Sequence, residues 1–294
     1  MDGMTDPGVG DWQEVGVALS EQGTNVSDES QGATTDGVYW FVCSNNAKQV
    51  VSFDDARNYV ATFAPDPVIR YGMWADAGQP NADADENGVP VFGGDFDPHF
   101  GAPAFDHGWI YVPIQGPHGV WRFSIDGTEQ FWQKASSDDF AFPGDDDLFP
   151  WCAIHPVTGV LYTCNFRTPP CLRAYDSESL EYRRPDDIKI GPAPLLLDHV
   201  QGGVFTSHGR LILSCSDDNA VFCFSSLNGH CFGAQTLGNF GNIVGSEVEG
   251  VTVRSVQFDG VPASVHIFEL VNKGPLGPGD FDLHSFQVPA PQLL

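Results

Sequence analysis

The apolar positions of the chain occur in short blocks of branched and aromatic residues, which alternate with polar turns. The clearest example is residues 199–215. Here a short strand (199–205), a polar turn that contains a glycine (206–210) and a second strand of branched apolar residues (211–215) follow one another. This order predicts two neighbouring strands of an antiparallel sheet.

The same pattern recurs along the chain, and each copy is followed by a third strand with an aromatic residue at an equivalent position. These aromatic residues are Phe53, Phe123, Tyr175, Phe224 and Phe286. By subtraction, the intervals between them are 70, 52, 49 and 62 residues. Repeats of this length, each with three or four short strands, predict the blades of a β-propeller.

Five such repeats occupy the whole chain, and no window shows a sustained helical stripe of apolar residues. We therefore predict an all-β protein in which residues 1–294 form a single five-bladed β-propeller, with six blades as the alternative. The last repeat ends after its third strand, whereas residues 12–19 form an unassigned apolar strand. Because an open ring would leave unpaired strand edges, we predict that this N-terminal strand closes the last blade.

An acidic insertion at about 71–97 is the longest interruption of the repeats. Asp83, Asp85 and Asn87 alternate there before a glycine, as at the start of a calcium-binding loop. The twelfth position of that loop is Gly94 instead of glutamate, so a plain acidic turn is the alternative. Together with Asp97, these three residues are our candidate metal ligands, and calcium is one candidate ion.

The first strand of each blade lines the channel of a propeller, so equivalent positions of different blades converge on the axis. Alignment of the repeats places five polar residues at the start of this strand, where alternate residues share one side. These candidate catalytic residues are His99, His199, Gln201, Glu247 and Glu249. A polar channel that holds only water is the alternative.

These residue types favour two kinds of chemistry. Mixed histidine and carboxylate ligands suit Zn²⁺, Mn²⁺ or iron, whereas carboxylates with Gln201 and backbone carbonyls suit Ca²⁺. If the chemistry is proton transfer, His99 or His199 is the natural base and Glu247 or Glu249 is its partner.

Four aromatic residues lie on or beside the loops that lead into the blades, and we predict that they bind substrate. They are Trp74, Phe100, Phe149 and Trp151. Together they would form a stacking floor for a sugar or another flat ligand. Packing between blades is the alternative for each of them.

The charge of the chain limits its partners. It has 39 acidic and 13 basic side chains, a formal net charge of −26, which predicts no nucleic-acid or membrane partner. The sequence shows neither a leader nor an apolar run of membrane length, so we expect a soluble protein that is either cytoplasmic or secreted with its leader removed. The expected partner is a small molecule or a carbohydrate.

The segments 199–205, 209–211 and 247–252 resemble bacterial β-propeller proteins of no assigned activity and, more distantly, the lactonase and NHL-type propellers. The resemblance covers the repeat along most of the chain, but its motifs are specific only for the last two blades. Lactonase-type propellers hold calcium in the channel through Glu, Asn and Asp, so the resemblance implies Glu249 and nearby aspartates as ligands. The two channel histidines and the five repeats depart from that family.

The sequence therefore predicts a metal-assisted enzyme of hydrolase or lyase type that acts on a small molecule or sugar, with a divalent metal, for which Ca²⁺ is a candidate, as cofactor. The alternative is a lectin-like binding protein without catalysis. A repeat lectin would need nearly identical polar residues in every repeat, and this chain lacks them. That difference favours a single site on the axis.

Overall fold

The strands form five antiparallel sheets arranged in a ring, so the chain is a five-bladed β-propeller and the six-bladed alternative is wrong. The structure is a computed structural model. It describes residues 12–22, 29–78, 83–94, 96–136, 149–193, 197–217, 219–237, 246–271 and 280–288.

The first two blades follow the N-terminal strand and are separated by a helix. The N-terminal strand is β1 (Gln13–Gln22). Blade 1 consists of β2 (Ser30–Thr35), β3 (Trp40–Ser44), β4 (Gln49–Phe53) and β5 (Tyr59–Phe63). The helix α1 (Pro67–Ala77) follows. Blade 2 consists of β6 (His99–Phe100), β7 (Ala104–Asp106), β8 (Trp109–Gln115), β9 (Gly119–Ser124) and β10 (Gln130–Lys134).

The remaining three blades complete the ring. Blade 3 consists of β11 (Ala153–Ile154), β12 (Val160–Thr163), β13 (Cys171–Asp176) and β14 (Ile188–Lys189), with a 3-10 turn at Arg184–Asp186. Blade 4 consists of β15 (Val200–Phe205), β16 (Arg210–Cys215), β17 (Ala220–Ser225) and β18 (Cys231–Thr236). Blade 5 contains β19 (Ser246–Phe258), β20 (Val261–Val271) and β21 (Asp280–Gln287).

The N-terminal strand closes the ring as predicted. β1 pairs antiparallel with β21, so the strand order of blade 5 is β19-β20-β21-β1. Leu19 of β1 is buried in the apolar cluster between blades 5 and 1. The first and last strands of the propeller therefore meet in one sheet, and β1 supplies the outer strand of blade 5.

The core consists of five apolar clusters, and each lies between two neighbouring blades. The aromatic residue of the third strand is buried in every blade, which confirms the register of the repeat. These residues are Phe53, Phe123, Tyr175, Phe224 and Phe286. No disulfide bond joins any of the seven cysteines.

The helix α1 was missed by the sequence pattern. Its first turn holds Pro67, and the Asp66 carboxylate accepts a hydrogen bond from Ile69 N at 2.9 Å. The helix ends at Gly78, whose φ of 66° is left-handed. Only Ile69 and Met73, one turn apart, are buried, so the apolar stripe is too short to stand out in the sequence.

Small residues bring the inner strands close together at the axis. A Cβ atom on Gly202 would lie 2.6 Å from Gly250 Cα, and one on Gly250 would lie 3.0 Å from Gly32 Cα. A Cβ atom on Gly32 would lie 2.9 Å from Ala102 Cβ. The backbones of blades 1, 2, 4 and 5 therefore approach more closely than side chains would allow. This constriction separates two cavities along the channel.

Candidate functional site: the axial pocket

A cavity of about 310 Å³ lies on the axis where the inner strands begin. We call it the axial pocket. Its walls are Glu29, Gln31, His99, Gln115, Pro150, Phe166, Gln201, Glu247, Glu249 and Leu270. Acidic and amide side chains dominate this set, which includes no lysine or arginine among the residues that the structure describes.

Three of the lining residues are presented by β-bulges at the same position of different blades. The strand registers shift between Ser30 and Gly32, between Val200 and Gly202, and between Val248 and Gly250. The extra residues are Gln31, Gln201 and Glu249. A bulge redirects a side chain out of the regular alternation of a strand. The glycine after each bulge permits the close approach of the backbones, so the same dipeptide position builds both the pocket and the constriction below it.

The structure brings four of the five predicted catalytic residues together. His99, Gln201, Glu247 and Glu249 all line the axial pocket. Their catalytic role stays a prediction. His199 is not in the lining: its backbone has a left-handed φ of 48°, and its side chain pairs with Asp217. The alignment placed His199 at the right level of the blade but could not give the direction of its side chain.

Sequence reasoning missed three polar residues of the pocket, Glu29, Gln31 and Gln115. Gln31 and Gly32 repeat the dipeptide at 201–202, a signal that could have revealed the first copy. Gln115 ends β8 directly opposite His99. The position of Gln115 follows from strand pairing, which the linear repeat does not show.

Glu249 is the most strongly perturbed group in the pocket. Its side chain is buried, with 3% of the residue exposed, and its Oε2 atom makes no hydrogen bond. Burial raises the pKa of this carboxyl well above its ordinary value, and the nearby charges of Glu247 and Glu29 raise it further. Burial beside Glu247 and Glu29 therefore favours the protonated form of the Glu249 carboxyl.

His99 is held as a neutral imidazole. Its Nε2 atom lies 2.9 Å from Gln31 Oε1. Burial lowers the pKa of His99 to about 4, the positive charge of Lys48 lowers it further, and the Asp97 carboxylate opposes both effects. At neutral pH the ring carries no charge.

The turn after β3 supports two walls of the pocket at once. Asn45 Nδ2 donates to Glu29 Oε2 at 2.9 Å, and Asn45 Oδ1 accepts from Phe100 N at 2.9 Å. Lys48 Nζ donates to Asn45 Oδ1 and to Pro98 O, both at 2.9 Å. The buried Asn45 and Lys48 thus fix the segments that carry Glu29 and His99.

Three of the four predicted substrate-binding aromatics belong to the core. Phe100, Phe149 and Trp151 have no exposed surface and lie in the clusters between blades. A Cβ atom on Gly203 would lie 2.4 Å from the Trp151 ring, so this indole fills the space beside a glycine. The stacking floor is therefore corrected to core packing for these three. Trp74 is half-buried on α1, with its ring at an angle of 73° to Tyr71.

The predicted calcium loop folds as a turn. Asp85 Oδ1 accepts from Asn87 N and from Val89 N, each at 2.9 Å, and the Asp83 carbonyl accepts from Val91 N at 3.0 Å. Asp97 forms an ion pair with Lys48 at 2.9 Å. These contacts occupy oxygens that a cation would need. The metal-ligating role of Asp83, Asp85, Asn87 and Asp97 stays a prediction.

The comparisons with known proteins support the fold. No family model matches the chain, and no curated protein matches it by sequence. The structure is similar to a glutaminyl cyclase of Myxococcus xanthus, with a TM-score of 0.53 and 9% identity over 92% of this chain and 98% of that chain. It is also similar to virginiamycin B lyase of Staphylococcus aureus, with a TM-score of 0.44 and 10% identity over 95% of this chain and 89% of that chain.

The strand order, together with the likeness in fold to the glutaminyl cyclase, establishes the class of protein. The chain is a five-bladed β-propeller whose axial pocket carries acidic and amide side chains. At such low sequence identities the neighbours share the fold with this chain, but their activities cannot be transferred to it. Within the described residues, no helix has the length and apolar character needed to span a membrane.

Proposed function

We propose that the axial pocket is the active site of an enzyme of hydrolase or lyase type, which acts by acid–base catalysis on a small polar molecule or sugar. The observation that carries the proposal is the Glu249 carboxyl. It is buried in the pocket, its Oε2 makes no hydrogen bond, and its pKa is raised beside Glu247. Strongly perturbed carboxyls in a cavity are typical of catalytic sites.

The two carboxyl groups divide the proton transfers between them. Glu249 donates its proton to the atom that leaves when a bond of the substrate breaks, and Glu247 accepts a proton. In a hydrolase the proton comes from the attacking water, and in a lyase it comes from a C–H bond next to the bond that breaks. In both cases Glu249 gives one proton and Glu247 takes one, so the net charge of the two residues stays the same. Transfer of one proton from Glu247 to Glu249 then restores the starting state.

The walls of the pocket favour a neutral or cationic substrate. Gln31, Gln115 and Gln201 offer amide groups that donate to and accept from hydroxyl or amide groups of a ligand. Glu29 and Glu247 repel anions, and the described residues of the lining include no lysine or arginine to hold a phosphate or carboxylate. The volume of about 310 Å³ suits a small molecule.

Metal assistance, with calcium as one candidate, stays a prediction for this pocket. The proton on Glu249 competes with any cation for the same oxygen atoms. In the part of the chain that the structure describes, the axial carboxylates do not form a group of three with ligand atoms within 4.8 Å. We therefore propose proton transfer by Glu249 and Glu247 as the chemistry of this pocket. Whether the activity depends on a metal ion is tested separately.

Protonation of the Glu249 carboxyl can be tested without a substrate. Infrared difference spectra at neutral pH should show the carbonyl stretch of a protonated carboxyl in the wild-type protein, and the Glu249→Gln variant should lack it. Thr252→Val, a buried site elsewhere in the same blade, serves as the control and should keep the band. A wild-type spectrum without this band contradicts the proposal.

Activity is then measured on lactones, aryl glycosides and glutaminyl peptides, the last because one similar structure is a glutaminyl cyclase. We expect turnover of one class, a loss of about 10² to 10⁴ in rate for Glu249→Gln, and no loss in Thr252→Val. Addition of EDTA distinguishes a metal-assisted reaction from the proposed one. Full activity of Glu249→Gln would overturn the proposal, and ligand binding without turnover would favour the lectin-like alternative.

A further inference from the structure

Asp198, His199 and Asp217 form a second group of polar side chains, outside the lining of the axial pocket. One ligand atom from each of them lies within 4.8 Å of the others. His199 Nδ1 is 2.8 Å from Asp217 Oδ1 and 3.8 Å from Asp198 Oδ2. We propose that these three residues bind a divalent transition metal ion, Zn²⁺ or Mn²⁺.

The spacing of the three atoms fits one ion. Nitrogen and oxygen ligands lie about 2.0 to 2.2 Å from Zn²⁺, so two neighbouring ligands are about 3.0 to 3.5 Å apart. The separation of 2.8 Å from His199 Nδ1 to Asp217 is slightly shorter than this range and that of 3.8 Å to Asp198 is slightly longer, so small side-chain rotations would bring both into it. One imidazole with two carboxylates is a ligand set for Zn²⁺, Mn²⁺ or iron, whereas calcium prefers oxygen alone.

The hydrogen bonding of His199 is an independent sign of a ligand. Its Nδ1 atom is buried but makes no hydrogen bond, although the Asp217 carboxylate is only 2.8 Å away. The ring nitrogen therefore does not point along a good hydrogen-bond direction towards that oxygen. Buried polar atoms without hydrogen bonds are uncommon, and a metal ion in line with the Nδ1 lone pair accounts for this one.

Contacts behind the three side chains hold them in place. Asp198 Oδ1 accepts from Thr168 N and from His199 N, each at 3.0 Å, which leaves Oδ2 to face the group. Ser216 N donates to the His199 carbonyl at 3.1 Å and so ties the Asp217 turn to the His199 backbone. Such supporting hydrogen bonds orient ligands at metal sites.

Phe166 separates this group from the axial pocket. Its ring meets the His199 ring edge to face, with centroids 4.7 Å apart, and it also lines the axial pocket. A metal on His199 would therefore fix one wall of the pocket without contacting its contents. The proposed ion does not depend on the proposed catalysis.

The test is a calorimetric titration of the full chain, treated with EDTA and dialysed, with Zn²⁺, Mn²⁺ and Ca²⁺ in turn. We expect one site for Zn²⁺ or Mn²⁺ and a loss of at least about a hundredfold in affinity in His199→Ala and in Asp217→Asn. The matched control is His107→Ala. His107 forms an exposed pair with Asp106 at 2.7 Å, a histidine–aspartate pair without the third ligand, and its removal should not change the binding.

Two further measurements keep the result decisive. Circular dichroism establishes that each variant is folded, and Asp217→Asn keeps the size of the side chain. The spectrum of bound Co²⁺ distinguishes nitrogen and oxygen ligands from cysteine thiolates. Binding that is absent from the wild type, specific for Ca²⁺, unchanged in His199→Ala or accompanied by thiolate charge-transfer bands would overturn the proposal.

Discussion

The two ends of the channel are built from the same inner strands, yet they differ in chemistry. The axial pocket is lined by three glutamates, three glutamines and a histidine. The described lining of the cavity at the other end, of about 200 Å³, has one charged residue, Asp106, among threonines, prolines and apolar side chains. We call it the distal cavity.

The contrast arises within a few residues of each strand. In blades 1, 4 and 5 a bulge places an amide or an acid at one end, the next residue is glycine, and the following positions return to small or branched side chains. Much of the polarity at the axis therefore comes from one irregular residue in each of these strands, to which β19 adds Glu247. We infer that chemistry can be confined to one mouth of a propeller without any change in the blades themselves.

The largest expected effect comes from breaking the constriction between the two cavities. In Gly202→Val the new Cβ would lie 2.6 Å from both Gly250 Cα and Ser214 Oγ. We expect a loss of about 3 kcal/mol in the free energy of unfolding, measured with urea, because the backbone of blade 5 cannot move away easily. Gly116→Ala, in open space with a φ of 94°, is the control for backbone strain and should cost about 1 to 2 kcal/mol. Equal losses in the two variants would contradict close packing at the axis.

The second effect is a pH dependence of the free energy of unfolding, which we expect from the axial pocket and not from the distal cavity. Folding raises the pKa of Glu249, so its contribution to stability is fully present below the pKa of the unfolded chain and is lost as the pH rises towards the folded value. Over that window the wild-type protein should lose about 1.4 kcal/mol per pH unit relative to Glu249→Gln.

Urea unfolding at about pH 5, 6 and 7 measures this difference. Thr252→Val, beside the distal cavity, should follow the wild-type slope. Parallel curves for the wild type and Glu249→Gln would mean that this carboxyl is ionised in the folded protein.

The smallest effect is expected from Asp106, the charged residue in the lining of the distal cavity. The half-buried Asp106 raises the pKa of the exposed His107 through a hydrogen bond of 2.7 Å. In Asp106→Asn the pKa of His107 should return towards its ordinary value, as followed by nuclear magnetic resonance, with no measurable change in the urea midpoint. A clear loss of stability would show that the distal cavity also depends on a charge.

The propeller could be predicted from sequence because every blade repeats an aromatic residue in its third strand and a glycine turn between its first two strands. The closing strand was predicted for a different reason: the last repeat lacked a fourth strand, and an apolar strand near the N-terminus had no repeat of its own. The first strand of blade 1 was missed because residues 30–35 contain no large apolar side chain.

The site was predictable only where aligned positions of different blades have the same local backbone structure. Gln201 and Glu249 are in the pocket because the same bulge occurs in both blades, and the alignment carried one to the other. His199 has a left-handed backbone, and Trp151 is drawn into the space beside Gly203. The spacing of the repeats predicts neither a local backbone angle nor the shape of a neighbouring blade.

The closing strand has a consequence for the order of folding. Gln13 lies opposite Gln287, by subtraction 274 residues further along the chain. During synthesis β1 emerges before the other strands of the propeller, but its partner β21 is made after them, so the ring stays open until all five blades have been synthesised. Pairing between such distant segments is slow, and an unpaired edge invites aggregation while it waits. We therefore expect ring closure to be the late step of folding, and the exposed apolar edge of β21 to be the part of the nascent protein that most needs protection.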